Sequence, residues 1–101
     1  MSYLFCDTEF NQPIDHWDVS NVNDMSAMFK HSTFNQAIAP WNVSKVQNME
    51  DMFAGSEFNQ PIEKWDVSNV TNMNYIFLDS KFNQSIENWK INKMVDTELM
   101  F

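Results

Sequence analysis

The fold of this chain is decided by the stretch from Phe58 to Lys81, which reads FNQPIEKWDVSNVTNMNYIFLDSK. Its opening motif, Phe-Asn-Gln, recurs every 24 residues, starting at Phe10, Phe34, Phe58 and Phe82. Tryptophan keeps the same 24-residue spacing, at Trp17, Trp41, Trp65 and Trp89. No insertion or deletion disturbs the register. Self-similarity at a fixed period between about 20 and 50 residues predicts a tandem-repeat architecture in which successive units stack.

The repeat defines one domain of stacked units. The predicted single repeat domain, residues 1–101, comprises a partial coil at 1–9, coils at 10–33, 34–57 and 58–81, and an atypical C-terminal coil at 82–101. That last coil departs from the pattern at four positions, Lys90, Asn92, Met94 and Thr97, where the other coils carry Asp or Asn, Ser, Val and Met. These changes weaken its apolar pattern and predict a weak C-terminal cap.

Two hydrophobic patterns lie within each coil. In the third coil, residues 64–68 alternate polar and apolar side chains, which is the period of a short, half-buried strand. The apolar residues of 70–77 follow at spacings of three, three and one, which is typical of one face of a helix. Each 24-residue coil is therefore expected to contain a short strand followed by a short helix.

A strand and a helix in each coil is the layout of a leucine-rich repeat, whose period is about 20–29 residues. The predicted fold class is α/β, a leucine-rich-repeat-like solenoid with one short parallel strand and one short helix per 24-residue coil. Successive strands would pair in parallel, about 4.8 Å apart. A three-strand β-helix is the alternative, and the helical spacing within residues 70–77 argues against it.

Composition and charge exclude several functional classes. Hydrophobic residues make up 44% of the chain, enough to bury a core. The net charge of −8 argues against binding nucleic acid or an anionic membrane, because both require clustered Lys and Arg. The sequence contains no apolar run near the ~18 residues of a membrane-spanning helix, and no signal peptide is visible at the N-terminus. A single cysteine, Cys6, cannot form an intramolecular disulfide and is expected to be a small buried hydrophobe.

Two unbroken columns of residues have competing interpretations. The Asn column, repeated at Asn11, Asn35, Asn59 and Asn83, and the adjacent Gln column could form a polar strip for a ligand. An amide ladder between coils, which satisfies backbone groups at a tight corner, is favoured because every layer needs such a corner. The Trp column could be a platform for carbohydrate, but burial is favoured, in which case each indole N–H needs an acceptor from a neighbouring coil.

The outward positions of the expected strands vary from coil to coil, and variation is where binding specificity is expected to lie. On a leucine-rich-repeat scaffold they line the concave face, the usual binding surface. The candidate binding residues are His16, Asp18, Ser20, Asn42, Lys64, Asp66, Ser68, Asn88 and Lys90. Solvated surface without a function is the competing interpretation.

Metal and catalytic sites are not expected. Asp18, Asn42 and Asp66 lie in line, but Ca²⁺ needs about six to eight oxygen ligands and Lys90 interrupts the column. The two histidines, His16 and His31, lack the spacing of zinc ligands. With one glycine in the chain, the glycine-rich motifs that bind phosphates or hold a nucleophile cannot be present. The sequence predicts a non-enzyme without a cofactor.

The motif Trp-Asp-Val-Ser-Asn-Val, at residues 17–22 and 65–70, together with Phe-Asn-Gln-Pro-Ile and Met-x-x-Met-Phe, resembles the BspA-like surface-protein repeat. This leucine-rich-repeat-like unit occurs in bacterial and mycoplasmal surface lipoproteins, in some protists and in large viruses. The resemblance covers essentially the whole chain. It implies a right-handed solenoid, a location at the cell surface or in secreted material, and a role in adhesion or host-protein binding.

Two functions therefore remain open. The first is a non-catalytic module that binds a protein or glycan through its concave strand face. The second is a structural protein that assembles end to end, because residues 1–5 and 97–101 share one phase of the repeat and neither carries a polar cap. Such contacts would give filaments or homo-oligomers.

Overall fold

The computed structural model, which describes residues 1–92 and 94–101, is a stack of 24-residue layers measuring 34 × 28 × 23 Å. Within those residues there is no helix, and the β-structure consists of isolated parallel bridges: Asp24 with Asn48, Asn48 with Asn72, and Asn72 with Asp96. The predicted α/β class, with its strand and helix in every coil and its leucine-rich-repeat layout, is therefore wrong. Turns and layer-to-layer hydrogen bonds replace both elements.

The segments expected to be helical bond to the next layer instead of to themselves. Alternate backbone N–H groups in residues 25–31 donate to carbonyls 23 positions ahead, from Met25 to Asn48 and from Ala27 to Glu50, at 2.9 and 2.8 Å. Residues 49–55 and 73–77 repeat this pattern toward the layers after them. Because an α-helix uses each N–H to reach the carbonyl four residues back, a segment with these bonds cannot be one.

The same segments pass through left-handed backbone at every fourth residue. In the layer 25–31, φ is 53° at Ala27 and 54° at His31. The two columns of positive φ are Tyr3, Ala27, Asp51, Tyr75 and Leu99, and then Asp7, His31, Gly55 and Asp79. Overlapping turns separate these positions, closed by bonds such as Met28 N–H to the Met25 carbonyl at 3.3 Å. A helix of L-residues is right-handed throughout, so the three-residue spacing reflects turns.

The expected strand is likewise a pair of turns. Trp65 N–H donates to the Ile62 carbonyl at 3.1 Å, and Val70 N–H donates to the Val67 carbonyl at 3.0 Å. Trp65 and Val67 are buried and Asp66 is exposed, so the predicted alternation of inward and outward side chains is confirmed. Alternation describes which way the side chains point, and it does not require the ladder bonds of a strand.

Columns of stacked aromatic rings run through the core, packed among Ile, Val and Met side chains. Rings of the column Phe10, Phe34, Phe58 and Phe82 repeat at 6.2 Å with interplanar angles of 4–7°. A second Phe column, one residue in each layer from Phe5 to Phe101, interleaves with it, and within a layer the rings of the two columns are 4.1–4.3 Å apart. Every layer therefore contacts the next through aromatic rings as well as through the backbone.

The fourth coil has a local change of register. In the first three coils an Asp or Asn oxygen accepts the backbone N–H of the Ser two residues later. Lys90 has no side-chain oxygen, and Asn92 forms the equivalent turn instead, accepting the Met94 N–H at 2.8 Å. The side-chain cap thus moves by two residues, and the backbone turn closes one residue later than in the third coil, with Val95 N–H donating to the Asn92 carbonyl at 3.1 Å. Val95 consequently packs against the core while Met94 is 80% exposed. The departures in the last coil thus displace its inward residue.

Candidate functional site

All nine candidate binding residues lie on one side of the stack, which we call the turn face: residues 14–22, 38–46, 62–70 and 86–92. Among the residues that the structure describes there is no sheet for them to line, so their predicted position on a concave strand face is wrong. They lie on the two turns of each coil. Ser20 is half-buried, and the other eight, His16, Asp18, Asn42, Lys64, Asp66, Ser68, Asn88 and Lys90, are exposed.

A cleft of about 540 Å³ crosses the turn face between the third and fourth coils. Its walls bring together five of the nine candidates, which are Lys64, Asp66, Ser68, Asn88 and Lys90. The other four, His16, Asp18, Ser20 and Asn42, belong to the first two coils and lie outside the cleft. The candidate surface is therefore divided into a cleft in the third and fourth coils and an open area in the first and second.

One carboxylate in this cleft is held by its own turn. Asp66 Oδ1 accepts the Ser68 hydroxyl at 2.6 Å and the Ser68 backbone N–H at 3.1 Å. These two bonds, and more weakly the positive charge of Lys90, lower the pKa of Asp66 below that of an ordinary aspartate. Asp66 is therefore ionised at neutral pH, with Oδ1 already occupied.

The second carboxylate of the cleft, that of Glu63, accepts a hydrogen bond from the Asn88 amide across the two coils. The lysines are arranged differently. In the part of the chain that the structure describes, the one ion pair joins Lys30 to Asp51 at 3.6 Å, on another side of the stack. Neither Lys64 nor Lys90 forms an ion pair there. The two ammonium groups of the cleft are therefore less occupied by contacts within the protein than its two carboxylates are.

A smaller cavity of about 400 Å³ adjoins the cleft and is lined by Ala39, Pro61, Glu63 and Lys64. Glu63 and Lys64 belong to both cavities. Ala39, Pro61 and Glu63 were missed by the sequence reasoning, which considered only the outward positions of an alternating strand. The turn from Ile62 to Trp65 exposes two successive residues, and recognising a turn there would have included Glu63.

The Asn and Trp columns serve the fold. Asn35 Oδ1 accepts the backbone N–H of Asn59 at 2.8 Å and the Gln60 amide at 3.2 Å, and the same bonds recur between the other coils. The indole of Trp65 is buried and donates to the Ile38 carbonyl at 3.2 Å. The predicted amide ladder is confirmed, and the predicted indole acceptors from neighbouring coils are confirmed for Trp41, Trp65 and Trp89, which are therefore not free as a ligand platform. Trp17, in the first coil, is half-buried.

Other chemistry finds little support in the described residues. Within residues 1–92 and 94–101, no three His, Cys, Asp or Glu side chains converge as metal ligands would. No helix there is long and apolar enough to span a bilayer. Cys6 is half-buried, and desolvation followed by its hydrogen bond to Asp7 raises the pKa of its thiol, so the thiolate is disfavoured.

Comparison with known proteins identifies a family. The family described as "Mycoplasma protein of unknown function, DUF285" matches residues 1–101, which is the whole chain. No curated protein and no solved structure matches it. The mycoplasmal part of the resemblance noted in the sequence is thereby confirmed. With its 24-residue layers and its turn face, the chain belongs to the DUF285 family of mycoplasma proteins.

Proposed function

We propose that the chain is a non-catalytic interaction module of a cell-surface or secreted repeat protein, which binds a protein or glycan through its turn face. The observation that carries this proposal is the cleft between the third and fourth coils, where five independently expected residues meet. Its volume, about 540 Å³, is within the range of about 300–1,000 Å³ for ligand pockets.

The contrast between positions that are the same in every coil and positions that vary supports the proposal. Residues that repeat without change, such as Asn35 and Trp65, use their polar groups in hydrogen bonds between coils. The turn face includes residues that differ from coil to coil, such as Lys64 and Lys90. A repeat scaffold with a constant core and a variable surface is suited to recognition. We extend the proposal to the finer resemblance, a relationship to BspA-like surface repeats and a role in adhesion, on the motif at residues 65–70.

A charge-reversal experiment tests the turn face. Labelled chain is applied to an array of glycans and extracellular-matrix proteins, and the Lys64→Glu variant is compared with Lys81→Glu. Both lysines are exposed and both substitutions change the charge equally, but Lys81 lies off the turn face. Loss of the array signal in Lys64→Glu alone is the expected result. Equal signals from the two variants, or a wild-type chain that binds nothing, would overturn the proposal.

A second candidate is self-assembly by addition of layers. Successive layers donate from equivalent N–H groups, such as Met25 and Met49, to carbonyls of the next layer, and they accept at equivalent carbonyls, such as Ser26, from the layer before, so two stacks in the same orientation are complementary. Apolar side chains in the outermost layers are exposed, with Tyr3 at 62%, Leu99 at 60% and Phe101 at 63%. Covering them would supply a driving force for filaments or homo-oligomers.

Light scattering separates the two candidates. Multi-angle scattering over a wide range of concentration should show a series of polymers if layers add end to end. The Leu99→Lys variant should then remain monomeric, because burying an unpaired ammonium group in that contact would cost its desolvation free energy. A wild-type chain that stays monomeric at the highest concentration would exclude assembly and leave the interaction module standing.

A further inference from the structure

We propose that the turn face binds a short extended peptide segment of a partner protein, with an aliphatic side chain at one end and a carboxylate at the other. The site is the groove formed by the two adjoining cavities, which share Glu63 and Lys64. This inference rests on the proposed function and names the class of its ligand.

The groove has an apolar end and a charged end. Ala39 and Pro61, both exposed, line the first, while Asp66 and Lys90 line the second. Ala39 belongs to the second layer and Lys90 to the fourth, so the groove crosses two layer steps of about 4.8 Å each. An extended peptide advances about 3.3 Å per residue, and about three residues would therefore fill it.

The groove balances two lysines against two carboxylates, and the lysines are the groups left to bind an anion. Both carboxylates accept hydrogen bonds from the protein itself, Asp66 from Ser68 and Glu63 from Asn88. The ammonium groups of Lys64 and Lys90 form no ion pair within residues 1–92 and 94–101. A ligand carboxylate placed between these lysines would gain charge-assisted hydrogen bonds without displacing an internal one. This local preference for an anionic ligand is expected although the chain as a whole carries a net charge of −8.

A peptide fits this groove better than a sugar does. Sugar sites present an aromatic face for stacking, yet Trp65 and Trp89 are only 4% and 7% exposed at the base of this face. Their indole N–H groups already donate to the carbonyls of Ile38 and Ile62. Ala39 and Pro61 offer instead a small aliphatic surface, which suits a side chain such as Leu or Val.

Titration with defined peptides tests the inference. Isotope-labelled chain is titrated with acetyl-Leu-Ser-Glu-amide and with its Gln counterpart, and binding is followed by NMR shifts of the backbone amides of residues 63–68 and 88–90. We expect the Glu peptide to bind at least about fivefold more tightly, and more weakly as salt is added. The Lys64→Gln/Lys90→Gln variant should lose this preference, while Lys81→Gln should keep it.

Two exposed alanines provide a matched control for the apolar end. Ala39→Asp should weaken the Glu peptide, because it places a carboxylate in the aliphatic end, whereas Ala37→Asp, which lies outside the groove, should not. Thermal unfolding of each variant checks that it remains folded.

Equal affinity for the Glu and Gln peptides, or shifts that map elsewhere, would overturn the inference. Shifts in the groove with galacturonic acid but with neither peptide would also overturn it, yet they would leave the broader interaction module intact. Failure of that broader proposal is a separate result, since it requires either that the wild-type chain binds nothing on the array or that Lys64→Glu and Lys81→Glu give equal signals.

Discussion

Among residues 1–92 and 94–101, nine hold positive φ values, and eight of these carry a side chain. Left-handed backbone costs a non-glycine L-residue roughly 1–2 kcal/mol, so these positions persist because the layer-to-layer bonds on either side hold them. Gly55 is the exception, and its neighbour explains it. A Cβ built on Gly55 would lie 2.3 Å from Nδ1 of His31, which packs against it from the preceding layer.

Gly55→Ala is therefore expected to destabilise the fold in two separable ways, through its φ of 64° and through the contact with His31. We expect a loss of about 2 kcal/mol in the free energy of unfolding. The same substitution in a His31→Ala background should cost about 1 kcal/mol, because the contact has been removed and only the backbone strain remains. Urea unfolding of the four proteins measures the difference. Equal losses in both backgrounds would contradict a contact with His31.

Asp18, Asp24 and Asp66 should make stability depend on pH. In each, hydrogen bonds from a nearby serine lower the carboxylate's pKa, from the side chain first in Asp18 and Asp66 and from the backbone first in Asp24. A folded pKa below the unfolded value, about 3.9, gives stability that is present above that value and is lost as pH falls through the folded pKa.

The Asp18→Asn/Asp24→Asn/Asp66→Asn variant removes these titrations. Asn can keep the turn, because Asn42 accepts the Ser44 N–H at 3.1 Å in the same way. Stability of the wild type should therefore fall more steeply than that of the variant as pH decreases below about 4. Urea unfolding at several pH values provides the two curves, and parallel curves would contradict the expectation.

At the scale of the element, the amide ladder gives each corner of the stack a bond between layers. Asn35→Ala removes the acceptor for the Asn59 N–H, at a cost of about 1 kcal/mol because water can partly replace it. Asn83→Ala should lower the free energy of unfolding by only ~0.3 kcal/mol, because the backbone N–H of residue 83 still donates to Asn59 Oδ1. Denaturant unfolding measures both losses, with Asn35→Asp as a control that keeps an acceptor. Equal losses at Asn35 and Asn83 would show that the ladder adds nothing.

The elements themselves could be predicted only in part. Spacing alone identified the period, the inward residues such as Trp65 and Val67, and the need of the Asn and Trp columns for hydrogen-bond partners in neighbouring coils, because all of these follow from stacking identical units. The helix was wrong because its three-residue spacing also fits overlapping turns. Of the left-handed residues that distinguish the two, Tyr3, Ala27, Tyr75 and Leu99 give no signal of positive φ, whereas the others are Asp, His or Gly, which favour it and were not recognised as a signal.

At the scale of the whole molecule, the site was predictable as a surface but not as a cleft. The variable positions of one face follow from the repeat, whichever backbone carries them. The cleft lies beside the fourth coil, where the turn that Lys90 cannot form is replaced by one at Asn92. The sequence shows that Lys90 has no side-chain oxygen to cap this turn, but the position at which the replacement turn forms is settled by packing that the sequence pattern does not encode.

At this scale, the effects of two substitutions on stability should be coupled only when the substituted residues lie in the same layer or in adjacent layers. Phe53 and Phe77 lie in adjacent layers with ring centroids 5.8 Å apart, while Phe5 stacks on Phe29 and shares no aromatic neighbour with Phe77. In a stack whose layers interact only with their neighbours, substitutions at Phe53 and Phe77 must have coupled effects on stability, whereas substitutions at Phe5 and Phe77 must have additive effects.

A double-mutant cycle with Phe→Leu substitutions tests this arrangement. Phe53→Leu and Phe77→Leu together should differ from the sum of their single effects by about 0.5–1.5 kcal/mol, because removing one ring already removes the contact of the other. Phe5→Leu and Phe77→Leu should be additive to within about 0.5 kcal/mol. Equilibrium unfolding of the single and double variants measures both couplings. If the distant pair coupled as strongly as the adjacent one, the chain would behave as one indivisible core, and its repeats would be units of sequence without being units of stability.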